Sequence, residues 1–164
     1  MRAAGSAIAP WLAAAAVLWP AAGPQAQPVA SRPEILFVWM GGDDCPPCVA
    51  WRRTELPQLR QSPVWQEVRF SYVVKSIRST VPAAADLPPE VRPYKDQLDR
   101  AGAGRSGSPQ AALIVDGAVY DYFTSARMAG DVERMLIAIR QGTRYPFQRC
   151  LRLGARRGEC EIAG

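Results

Sequence analysis

The sequence predicts an α/β fold: a mixed central sheet flanked by helices, in which a βαβ unit is followed by an antiparallel hairpin and a C-terminal helix. Three observations carry this. "EILFVWM", residues 34–40, is a near-continuous apolar run of strand length, the pattern of a strand covered on both faces. A second β-rich run, "RFSYVVKSI" at 69–77, follows an intervening stretch of helical composition. Two further apolar runs in "PQAALIVDGAVYDYF" flank Asp116-Gly117, the dipeptide favoured in two-residue hairpin turns. Parallel strands joined through a helix, then a hairpin, make a mixed sheet.

In chain order, the first segment is unlike the rest. One arginine precedes an alanine-rich apolar stretch from about Ala7 to Trp19, followed by small residues and prolines. This is the layout of a signal peptide, residues 1–26, cleaved after Ala26. The apolar run is too short, and too interrupted by Pro10 and Pro20, to read as a membrane span; a retained anchor is the alternative. The mature chain then enters an oxidising compartment where disulfides persist. The C-terminal "GECEIAG" does not resemble an endoplasmic-reticulum retention signal, so a periplasmic or secreted location is expected.

Residues 27–33 form a polar, proline-bounded linker, and the domain runs over 34–142. After the first strand, "GGDD" breaks the run and "CPPCVAWRRTEL" has helical composition. The residue before a proline avoids the helical region, so this helix should start at about Pro47 and end or kink at Pro57. "SPVWQEV", 62–68, adds a short helical turn with Ser62 capping and Pro63 first. A proline-rich loop over 78–91 leads to a helix through "PYKDQLDRAG", and "AGAGRSGS" is a glycine-rich connection to the hairpin. Val132, Met135, Leu136 and Ile139 recur at helical spacing behind Asp131 as N-cap, and Gly142 supplies the stop. The tail, 143–164, holds Cys150 and Cys160.

Composition removes several chemistries. The chain has 164 residues, 20 lysines and arginines against 15 acids, and no histidine. The positive residues are scattered, with no run longer than a pair, which reads as solvated surface and not as a nucleic-acid stripe. Without histidine there is no Cys–His nucleophile and no histidine general base.

The chemistry therefore concentrates on Cys45 and Cys48, which are spaced to be a redox pair, two metal ligands or a structural staple. Cys45 sits where a strand ends and a helix begins. A sulfur there faces unpaired amides and the positive end of the helix dipole, both of which favour thiolate over thiol. Cys48, one turn in, lies on the same side and can resolve a mixed disulfide formed on Cys45. This chemistry requires the Cys45 sulfur to be reachable from solvent. Zinc is disfavoured because Cys150 and Cys160 lack knuckle spacing and an oxidising compartment opposes four free thiolates, so no metal is expected. A purely structural bridge across two residues is strained and reducible.

With its strand "ILFVWM", Cys45-Pro-Pro-Cys48 at a helix start, and "GSPQAALIVDGAVY", the chain resembles the thioredoxin-like fold family over about residues 34–142. The resemblance implies a thiol–disulfide oxidoreductase with no cofactor beyond its own cysteines. Its partners would be cysteine-containing exported proteins or a membrane-bound electron donor. It also implies that Ser108-Pro109 is a cis bond beside the redox pair, with Pro109 shaping the site and Ser108 helping to hold an extended substrate. A thioredoxin-like peptide-binding or chaperone module with little redox turnover is the alternative.

Two departures bear on the couple. Asp44 stands where thioredoxins carry a tryptophan, and the strand lacks the buried acid they use to manage the second cysteine's proton. Asp43 and Asp44 either cap the helix or modulate the Cys45 thiolate. Lys75 is a counter-charge or an exposed strand-end lysine. The direction of electron flow is left open by these opposing charges. Cys150–Cys160 reads as a structural disulfide contributing roughly 2–3 kcal/mol. A second redox pair is discounted, since nine intervening residues give it no helix-start activation.

Overall fold

A computed structural model describes residues 31–123 and 127–149. The expected signal peptide, most of the expected linker, and the Cys150–Cys160 pair lie outside the described residues. The elements in order are β1 (Ile35–Gly41), α1 (Pro46–Leu59), β2 (Val68–Val74), α2 (Lys95–Gly102), β3 (Gln110–Val115), β4 (Ala118–Phe123) and α3 (Ala129–Gln141). The strands form one four-stranded sheet in the order β2-β1-β3-β4. β1 runs parallel to β2 and antiparallel to β3, and β3 pairs antiparallel with β4. The mixed sheet is therefore present, with the βαβ unit first and the hairpin after it.

Every residue of β1 is buried, because the strand has neighbours on both sides and helices over both faces. Alternation sends its side chains to opposite layers. Ile35, Phe37 and Trp39 join Trp51, Leu56 and Leu59 of α1 and Val132, Met135 and Leu136 of α3. Leu36, Val38 and Met40 join Leu98 and Ala101 of α2 on the other face. The proline-rich loop before α2 contributes Val81, Leu87 and Val91 to this second layer, which its composition did not announce.

Several boundaries differ from the sequence expectation, each for a local reason. β2 begins at Val68 and stops at Val74, not at Ile77, because its partner β1 ends at Gly41, across from Val74. Pro57 does not end α1, which continues to Leu59. So near the C-terminus the missing N–H removes one intrahelical bond and little else. α1 starts one residue earlier than expected, with proline in each of its first two positions, where no amide is needed. The turn over Pro63–Glu67 is a 3-10 helix, and the Ser62 hydroxyl donates to Glu133 instead of capping it. Asp131 is not the cap of α3. Met128 occupies that position, and the Glu55 carboxylate of α1 accepts the Ala129 N–H at 2.7 Å. A negative group from a neighbouring helix thus does the work at the positive helix end, while Asp131 pairs with Arg134.

The hairpin and the last stop are as expected. Asp116 and Gly117 take φ values of 48° and 82°, and Gly142 takes 61° at the end of α3. Beyond Gly142 the chain turns back onto β4. Tyr145 joins the core and donates its hydroxyl to the buried Asp121 carboxylate at 2.7 Å.

Tyr122 and Tyr145 make the fold alkali-sensitive. Burial pushes the Tyr122 hydroxyl above its ordinary range, and burial with the adjacent Asp121 charge does the same for Tyr145. The unfolded chain gives up these protons near pH ~10, the folded chain only at higher pH. Their contribution is fully present below that value and is lost as pH rises above it. Urea midpoints should hold from neutral pH to the tyrosine range and then fall. Tyr145→Phe should cost roughly 1.5–3 kcal/mol at neutral pH, the worth of a hydrogen bond to a charged group, and should flatten the alkaline decline. An unchanged decline in that variant would refute the assignment.

Candidate functional site

The C-terminal ends of β1 and β2 and the N-terminal end of β3 meet at one place, and the cysteine pair sits there. Cys45 and Cys48 form a disulfide with sulfurs 2.10 Å apart. Cys45 is the N-cap of α1, with extended backbone angles. Its carbonyl accepts the Cys48 and Val49 N–H groups at 2.9 and 3.0 Å, and its sulfur accepts the Cys48 N–H at 3.3 Å. The expected geometry, first sulfur at the helix start and second one turn in, is therefore what the chain adopts.

The glycines ahead of the pair explain why it fits. A Cβ at Gly41 would stand 2.6 Å from the Cys48 sulfur. One at Gly42 would stand 2.5 Å from the Lys75 carbonyl oxygen and 2.8 Å from Asp44 Oδ1. Both approaches are shorter than a carbon side chain tolerates, so "GG" here is a requirement of close packing rather than of turn conformation.

Asp43 and Asp44, expected either to cap the helix or to modulate the Cys45 thiolate, do not cap it, and both have partners. Asp43 pairs with Arg52, whose guanidinium also lies 5.3 Å from the Tyr72 ring centroid. Asp44 accepts the Ile77 N–H at 2.9 Å, tying the segment after β2 to the segment before α1. The cap is Cys45 itself. Tyr72 donates its hydroxyl to the Gly41 carbonyl at 2.9 Å, and burial raises its pKa while the Arg52 charge opposes the rise.

Lys75 corrects the reading of an exposed strand-end lysine, since it is only 5% exposed. Its ammonium donates to the carbonyls of Ser79 and Gly107, both at 2.6 Å, and to the Ser108 hydroxyl at 3.2 Å. Burial lowers its pKa, and the Asp44 charge works against that. Three acceptors for three protons make Lys75 a clamp between the loop after β2 and the loop before β3.

That second loop carries the predicted substrate residues. The Ser108-Pro109 bond is cis. β1 and β3 pair as far as Met40 opposite Gln110, so Pro109 comes one residue before the first paired position of β3. Pro109 thus lies at the same end of the sheet as the glycine that receives the Cys48 sulfur. Ser108 is half-buried beside it, its hydroxyl engaged by Lys75.

Exposure is where the structure departs most from expectation. Cys45 and Cys48 are both 0% exposed, so the leading sulfur is not open to solvent in the disulfide form. Its chain neighbours Asp43, Asp44, Pro46 and Pro47 are all exposed, which puts the pair just beneath the surface. The reason is the tight seat itself: a pair drawn onto the bare backbone of Gly41 is drawn inward.

The sequence matches no protein-family model and no curated protein. A mixed four-stranded sheet with helices on both faces and a disulfide-bonded Cys-x-x-Cys at a helix start fits a thioredoxin-like fold, and the pair is compatible with redox or disulfide chemistry.

The seat can be probed at the two glycines. Gly41→Ala and Gly42→Ala should each destabilise the chain by roughly 1–3 kcal/mol, as overpacking does. Only Gly41→Ala should also lower the fraction of Cys45–Cys48 disulfide at equilibrium in a glutathione buffer, measured by alkylation and mass spectrometry. Equal disulfide fractions in the two variants would contradict the packing account.

Proposed function

We propose that the chain is an exported thiol–disulfide oxidoreductase, acting in the periplasm or outside the cell after removal of residues 1–26. Its partners are cysteine-containing exported proteins and a membrane-bound electron donor that recycles the pair. The observation that carries this is the Cys45–Cys48 disulfide at the start of a 14-residue helix, with the Cys48 N–H already directed at the Cys45 sulfur.

In the reductive direction, the Cys45 thiolate attacks a substrate disulfide and forms a mixed disulfide, expelling one substrate thiolate. Cys48 then attacks the Cys45 sulfur, the bond to substrate breaks, and the second substrate thiol departs. Two electrons pass from the dithiol to the substrate, and the oxidative direction is the reverse. The amides at the start of α1 favour the Cys45 thiolate. Asp43 and Asp44 oppose it less than their charges suggest, being engaged by Arg52 and by the Ile77 N–H. Ser108 and Pro109 would line the place where an extended substrate segment lies, held by the Lys75 clamp.

Burial of both sulfurs favours a second reading, a peptide-binding module of the same fold with little redox turnover. The oxidoreductase requires the cover over Cys45 to open for each exchange; the module does not.

Reduction of insulin by the mature chain with a dithiol donor separates the two. The oxidoreductase predicts turnover abolished in Cys45→Ser, and a mixed disulfide trapped with substrate in Cys48→Ser. Rapid alkylation of Cys45 in the reduced parent would show that the cover opens. Peptide binding by a parent with no turnover and an alkylation-resistant Cys45 would establish the module instead.

A further inference from the structure

The indole N–H of Trp39 takes no part in the exchange just described, yet it is the polar group most in need of an explanation. The side chain is 0% exposed, and Nε1 has no hydrogen-bond partner among the described residues. Unpaired buried donors are rare because burial removes water and offers nothing in return.

Its position is specific. The point where a Cβ on Gly41 would stand lies 2.6 Å from the Cys48 sulfur and 3.6 Å from Trp39 Nε1, so both atoms border the same small space. Trp51 stacks on Trp39, with centroids 3.8 Å apart and planes within 12°, which holds the indole in place. The N–H of Trp51 is in use, donating to the Arg127 carbonyl at 2.9 Å. Two stacked indoles thus differ in one respect: one N–H is satisfied, and the other is unpaired at a point that the Cys48 sulfur also borders.

In the disulfide, Cys48 is a weak acceptor. Once reduced, the same sulfur becomes a thiol or a thiolate, and a thiolate accepts a charge-assisted hydrogen bond. A thiolate with no exposed surface also needs such a donor, since burial alone would keep it protonated. The titratable and charged groups at this end of the sheet are held elsewhere. Asp43 is on Arg52, Asp44 on the Ile77 N–H, Tyr72 on the Gly41 carbonyl, Lys75 on the loop oxygens and Glu55 on the Ala129 N–H, while the Arg127 guanidinium lies over the Phe123 and Phe147 rings. The start of β3 and the residue before it bring Gln110 and Pro109, which do not titrate.

We propose that Trp39 is the hydrogen-bond donor that holds Cys48 as a thiolate when the Cys45–Cys48 bond is open. The inference rests on the thiol–disulfide reading and assigns the resolving step its anion-stabilising group. In that step the Cys48 thiolate, its proton already lost to solvent, forms the bond to Cys45, the bond from Cys45 to substrate breaks, and the departing substrate thiolate takes up a proton from solvent. The indole keeps its own proton throughout. It lowers the Cys48 pKa without acting as a base, in a strand that carries no carboxylate.

The test uses the full mature chain and needs no substrate. In a Cys45→Ala background, the ultraviolet absorbance of the Cys48 thiolate is titrated against pH, with and without Trp39→Phe. The thiol pKa should rise by about one unit, a tenfold loss of thiolate at a given pH. Trp51→Phe, which removes the neighbouring indole and its committed N–H, should leave that pKa unmoved. An equal rise in both variants would reduce Trp39 to a packing residue and overturn the proposal. Should Trp39→Phe fail to fold, the parent protein still decides. Its Trp39 indole resonance, followed by nitrogen–proton correlation, should move downfield on reduction and titrate with Cys48. A resonance indifferent to both reduction and pH would overturn the proposal. These readouts concern the reduced protein alone. A shifted indole in a chain that does not turn over insulin would reject the oxidoreductase reading while leaving the hydrogen bond standing.

Discussion

The close seat of the Cys48 sulfur on the bare backbone of Gly41 is the constraint around which this end of the molecule is arranged. It fixes where α1 must begin relative to β1, because the second cysteine lies one helical turn in and has a single place to go. It also fixes what Gly42 must be, since the chain has four residues in which to leave the sheet and start the helix. Passing Lys75 at that point leaves no room for a side chain. The disulfide is therefore less an addition to the fold than a consequence of how strand and helix are joined.

From that seat the rest of the site follows by adjacency. β2 ends beside Gly41, so its next residue, Lys75, falls where its ammonium can reach the loop that precedes β3. β3 starts across from Met40, so Pro109, the residue before it, falls at the same end of the sheet as Gly41. Three chain segments far apart in sequence thus converge because three strands end at the same edge, and a buried ammonium joins two of them. A buried charge is costly unless its protons are satisfied, and here two carbonyls and a hydroxyl satisfy them. The same inward pull that seats the sulfur hides it, and the fold trades ready access for a fixed position.

Much of this was legible in the residues. The continuous apolar run of β1 announced a central strand because burial on both faces leaves nothing polar to alternate. Asp116-Gly117 announced its turn because both positions need positive φ. Cys45 announced itself as a helix start through the prolines that follow it. What was hidden is long-range. Nothing local distinguishes a lysine that caps a strand in water from one whose ammonium is sequestered by carbonyls on a distant loop, so the burial of Lys75 cannot be read from its sequence neighbours. Asp131 has the composition of a cap, but Glu55 of α1 reaches the end of α3 first. The apolar residues of the proline-rich loop have no period, so their place under α2 could not be read from spacing. The pairing of Trp39 with Trp51 depends on a strand and a helix meeting face to face, which no window of sequence contains.

The return of the chain after α3 bears on how this protein should be handled. Tyr145 lies against Tyr120 and Asp121, and Phe147 sits under the guanidinium groups of Arg127 and Arg134. An expression fragment trimmed at the glycine that closes α3 would look well chosen by secondary structure. It would strip β4 of this covering and leave a carboxylate in an apolar layer without its phenolic neighbour. A fragment carried through Arg149 keeps both.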